Sequence, residues 1–121
     1  MYLSFYSSFV FVINILISFM YKNYAYSYYF LLLVCTSLLF HYDRNIYTYY
    51  LDQLSVLLIV IYGVGQFIKK YVFNWYNIII LLTFISTIII YYLNSIHQNI
   101  DFWHVFIHII SCIGHNLIVL Q

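Results

Sequence analysis

Apolar residues run almost unbroken through five stretches, 3–20, 24–41, 51–68, 76–93 and 101–120, and polar residues collect in the gaps between them. Tyr21, Lys22 and Asn23 close the first stretch, Asp43 and Arg44 the second, Lys69 and Lys70 the third, and Asn94 the fourth. A helix rises 1.5 Å per residue, so about 18–20 residues cross a thin hydrocarbon core. The runs are continuous and lack the in/out alternation of barrel strands, so the backbone satisfies itself within helices. The pattern predicts an all-α fold, a polytopic transmembrane bundle of about five helices forming a single domain over 1–121. Short gaps make successive helices antiparallel. Tyr47, Tyr49 and Tyr50, and then Tyr71, Trp75 and Tyr76, mark the expected aromatic belts.

Composition sharpens this picture. Of 121 residues, 66% are hydrophobic and 6% charged, with no proline. Four Lys/Arg and three Asp/Glu cannot coat a soluble domain of this length. A net charge of +1 without a basic run argues against a nucleic-acid partner. Cys35 and Cys112 fall inside apolar runs, which argues against a disulfide framework. Residues 1–20 lack a basic leader and a small-residue cleavage site, so this stretch is expected to remain as a span. Lys22, Lys69 and Lys70 lie on one side of the membrane and Arg44 on the other. The positive-inside rule then puts the N-terminus outside or lumenal and the C-terminus cytosolic.

The ionisable residues inside the runs carry the chemistry. His41 ends the second helix, Asp52 begins the third, and His104 and His108 lie near the start of the fifth. All four share one side of the membrane. Residues four apart share a helix face, so Ser37 and His41 align, and so do His104 and His108. On the fifth helix, His97, Asp101, His104, His108, Ser111 and His115 step by 4, 3, 4, 3 and 4 residues. On the third, Asp52, Ser55, Tyr62 and Gln66 line up. An ionisable group facing lipid costs roughly 2.5–3.5 kcal/mol, so these stripes turn inward. Three imidazoles in one buried layer match catalytic zinc, which takes three protein ligands and one water. His41, His104 and His108 would hold Zn2+, and the metal lowers the water's pKa to about 7. Asp52 would orient or deprotonate that water, and Ser37 would hydrogen-bond the developing oxyanion.

Each residue also has a structural role open to it. His97 and His115 suit packing or the interface, and Cys112 could rival a histidine as ligand. Asp52 could sit at a helix start, and Ser37 could bond back to its own helix. Lys69 and Lys70 suit an interfacial anchor. Gly63 and Gly65 suit close helix packing, with no phosphate-loop context around them.

Three motifs in order, Ser37-Leu-Leu-Phe-His41, a Leu-Asp pair whose Asp52 falls eleven residues after His41, and His104-Val-Phe-Ile-His108, resemble the CREST superfamily of membrane hydrolases. Among its members they look most like the alkaline ceramidases. The resemblance spans roughly 30–66 and 97–118. It implies zinc on His41, His104 and His108, with Asp52 and Ser37 completing the signature, and hydrolysis of a lipid amide or ester. The family has seven helices with the signature on the second, third and seventh. This chain has five, with the signature on the second, third and fifth, so one helical hairpin is missing. Removing a pair preserves the in/out parity. Trp103 precedes the first histidine of the pair, where family members often carry tryptophan before the second. The expected partners are a membrane lipid substrate and a homo-oligomer that completes the bundle. Two other functions are open to the sequence: a non-catalytic small membrane protein, and a b-type haem carrier with axial histidines.

Overall fold

The computed structural model describes residues 3–96 and 100–121. They form five helices: α1 (Leu3–Met20), α2 (Tyr24–Tyr42), α3 (Ile46–Lys69), α4 (Trp75–Ile96) and α5 (Ile100–Leu120). All five are long and apolar enough to cross a membrane. The chain is therefore an all-α bundle of the polytopic membrane class. Expected residue His97 lies outside the described residues, as does the side chain of Asp101.

Helix ends follow local chemistry. At the end of α1, Asn23 N–H donates to the Ser18 carbonyl and Lys22 N–H to the Phe19 carbonyl, 2.9 and 3.0 Å. This is a Schellman closure, and it sets Lys22 at φ 60° in the left-handed region that glycine usually fills. The reversal is so tight that α2 runs straight back along α1. Asn45 caps α3: its side chain accepts from Thr48 N–H at 3.0 Å, and Thr48 Oγ1 accepts from Asn45 N–H at 3.1 Å. That capping box starts α3 at Ile46, five residues before the apolar run at 51. Asp52 therefore lies in the second turn of α3, beyond the N-terminal dipole that would explain it as a helix starter.

The helices pack in the order α3, α2, α1, α5, α4, and α5 also reaches back to touch α3. Among the described residues α3 and α4 do not pack against each other. An apolar cleft of about 280 Å³ lies between them, lined by Val60, Gly63, Phe67, Ile80 and Phe84. The interior is centred on α2, where Phe30 stacks between Tyr26 (5.0 Å) and Phe11 of α1 (6.1 Å). Polar contacts seam α1 to α5: Asn14 Nδ2 donates to the Cys112 carbonyl at 3.0 Å and to Asn116 Oδ1 at 2.7 Å. In lipid such bonds hold helices together where hydrophobic burial cannot.

The two glycines of α3 differ. A methyl group on Gly63 would stand 2.8 Å from the His115 ring and 2.9 Å from the Tyr26 hydroxyl, whereas one on Gly65 would meet nothing within 4 Å. Gly63→Ala should therefore destabilise the bundle by about 1–3 kcal/mol, the usual cost of overpacking. Thermal unfolding in detergent should show a lowered Tm for Gly63→Ala and an unchanged or raised one for Gly65→Ala, where the added methyl meets nothing and helix propensity improves.

Candidate metal centre

Two tight reversals and one parity relation bring four helix ends into one layer: the start of α1, the end of α2, and the starts of α3 and α5. His41 projects from the last turn of α2, and His104 and His108 from successive turns of α5. Their ligand atoms all lie within 4.8 Å of one another. Among the described residues this is the one cluster of three or more side chains able to hold a metal ion. Ring centroids are 4.7 Å apart for His41–His104, 5.4 Å for His41–His108 and 4.5 Å for His104–His108. A tetrahedral ion with Zn–N bonds of about 2.0–2.1 Å holds its nitrogens about 3.4 Å apart and the ring centroids about 5 Å apart. The ring spacing is compatible with such an ion. His41 and His108 are buried and His104 is half-buried.

A cavity of about 100 Å³ opens beside the histidines, lined by Ser37, Asp52, Gln53, Tyr91, His104 and His108, among others. Asp52 is buried, and its Oδ1 makes no hydrogen bond among the described residues. A carboxylate removed from water without a partner is costly, and such groups in membrane interiors mark functional sites. Cofactor pockets typically run about 300–1,000 Å³. The space beside the histidines is well below that range, which does not suit a haem.

The backs of the imidazoles are occupied by α1, a helix whose polar residues drew no attention in the sequence. Ser7 Oγ lies 2.7 Å from His108 Nδ1, and Ser4 Oγ lies 3.1 Å from His41 Nδ1. Arg44 Nη2 donates to Ser4 Oγ at 3.1 Å and approaches His41 Nδ1 at 3.3 Å. Arg44 thus reaches from the α2–α3 turn into the site layer. The signal for α1 was available: Ser4, Ser8, Phe11, Asn14 and Ser18 follow 4- and 3-residue steps, and all five are buried. Ser7 and Ser8 both donate to the Ser4 carbonyl, at 3.0 and 2.9 Å. These side-chain bonds compete with the backbone ladder, and the helix tightens to a 3-10 turn over Ser8–Val10.

Ser37 is buried against this same cluster. Its hydroxyl meets Ser8 Oγ at 2.8 Å. A hydroxyl has one proton. Ser8 gives its own to the Ser4 carbonyl, so Ser37 donates to Ser8, and an oxyanion bond from Ser37 would have to replace that contact. Cys112 lies apart from the histidine cluster, with Sγ 3.4 Å from the Val10 carbonyl. His115 sits one level deeper, hydrogen-bonded through Nδ1 to the Tyr26 hydroxyl. Comparison with family models, curated proteins and solved structures finds no match to this chain.

The lone carboxylate leads to a stability test on the metal-free protein. Asp52→Asn should leave Tm unchanged or raise it, since the substitution removes a charge whose Oδ1 finds no hydrogen bond. A fall of several degrees would mean that the carboxylate is held by a strong partner.

Proposed function

We propose that the chain is a zinc-dependent intramembrane hydrolase that cleaves an amide or ester bond in a membrane lipid. The observation that carries this is the clustering of His41, His104 and His108, with His104 and His108 lining a cavity that Asp52 and Ser37 also line. The motif order, which resembles that of the CREST superfamily and its alkaline ceramidases, supports the same chemistry. Bound zinc would supply a Lewis acid and bring the pKa of a coordinated water to about 7.

The chain's own residues do the rest. His41, His104 and His108 would hold the ion in a layer shielded by α1. Asp52 takes the proton from the attacking water and returns it to the leaving nitrogen or oxygen as the acyl bond breaks. Its unbonded Oδ1 is suited to that exchange. The apolar cleft between α3 and α4 shares Val60 and His115 with the cavity at the site, so a lipid chain has a lateral way in. The lysine count on the connecting turns supports a site in the outer or lumenal leaflet.

A second reading, a metal-holding protein without turnover, is favoured by the small cavity and by the missing hairpin relative to the seven-helix family. Purified protein should bind one zinc per chain and lose it in His104→Ala and His108→Ala. Asp52→Asn should keep the metal and lose hydrolysis of a ceramide or lysolipid panel by about 100-fold or more, the lower range for a general base. A wild-type protein that binds no zinc would overturn the proposal. Zinc binding without turnover of any panel lipid would leave only the second reading.

A further inference from the structure

The serines of α1 do more than fill space. Ser7 Oγ makes two contacts at once, 3.0 Å to the Ser4 carbonyl oxygen and 2.7 Å to His108 Nδ1. A carbonyl can only accept, so the Ser7 proton points to it. A serine hydroxyl has one proton but two lone pairs. Both contacts are hydrogen bonds together only if Nδ1 carries a proton and donates it to Ser7 Oγ. A neutral imidazole protonated at Nδ1 has its lone pair on Nε2, the nitrogen on the far side of the ring. Ser4 stands beside His41 one turn earlier, where Arg44, which can only donate, also approaches Nδ1 at 3.3 Å. Ser4 Oγ accepts from Arg44 and stands 3.1 Å from His41 Nδ1.

We propose that Ser7 is a positioning residue for the metal centre: its hydroxyl fixes His108 as the Nδ1–H tautomer and so presents Nε2 as the ligand atom. The inference rests on the proposed metal centre for its purpose, but the tautomer itself exists without a metal. Metal-binding histidines generally donate their second ring N–H to an oxygen acceptor, which orients the ring and raises its basicity. Here the acceptor comes from a different helix, α1, and its hydroxyl is turned by the carbonyl of Ser4 within the same turn. The 3-10 turn at Ser8–Val10 belongs to this device, because the back-bonding that aims the serine hydroxyls also tightens the helix.

The test uses the full chain in detergent micelles, labelled with 15N-histidine and free of metal. Long-range 1H–15N correlation distinguishes the two tautomers, and the spectrum of His108→Asn assigns the His108 signal. Wild type should show His108 as the Nδ1–H form. Ser7→Ala should shift it toward a mixture, and Ser7→Thr, which keeps a hydroxyl, should restore the Nδ1–H form. Competitive titration against a zinc chelator should show about 10–100-fold weaker binding for Ser7→Ala, with Ser7→Thr near wild type. An Nε2–H signal for His108 in wild type would overturn the inference, as would zinc binding by Ser7→Ala as tight as wild type. If wild type binds no zinc, the hydrolase proposal fails on its own. In that case Ser7 has no metal to serve and the assignment falls with it, whereas zinc binding with the wrong tautomer sinks the Ser7 assignment alone.

Discussion

Hydrocarbon offers no partners to a polar side chain, so the hydroxyls, amides and imidazoles of this bundle bond back to their own helix or turn toward polar groups on another. That constraint organises the molecule. The buried set contains Ser4, Ser8, Asn14, Ser18, Ser37, His41, Asp52 and His108, while Leu, Ile and Phe cover much of the outer surface. The helix faces are set by where polar groups can meet. The α1–α5 seam is written by Asn14, the α1–α2 seam by Ser8 and Ser37, and the site layer by three imidazoles backed by two serines. A site of this kind also serves as the adhesive that orients the helices around it.

Much of this was legible in the chain. Continuous apolar runs place the five spans, because a helix crossing lipid needs an uninterrupted stretch of about 20 residues. The 4-residue spacings of Ser37 with His41 and of His104 with His108 put those pairs on single faces, and antiparallel parity puts them at one depth. Two features were hidden. The start of α3 is set by the Asn45–Thr48 capping box and not by hydropathy, because the tyrosines of its first turn are half polar and look like a connecting segment. The α1 stripe escaped notice because single serines and asparagines barely lower the hydropathy of a span. Only their phase shows that they form a face.

The partner of Ser37 could not be read from its own helix at all. Its face points to Ser8, which lies on a different span and comes 29 residues earlier. The same holds for the two imidazole backs. The i, i+4 rule finds residues that share a helix face, but it does not say which helix covers that face. Here the cover is α1, brought alongside α2 by a three-residue reversal, Tyr21–Asn23, with Lys22 in the left-handed region. No such cover joins α3 to α4 among the described residues. These two helices stand apart, leaving an apolar cleft in place of a packed interface.

The central claim is that imidazoles from α2 and α5 surround one divalent ion. Zinc K-edge X-ray absorption on the purified protein tests it most directly. The account predicts a first shell of nitrogen and oxygen scatterers at about 2.0–2.1 Å, with the outer-shell pattern of three imidazole rings. A sulfur scatterer at about 2.3 Å, which would bring in Cys112 or Cys35, or a shell with fewer than three imidazoles, would contradict it.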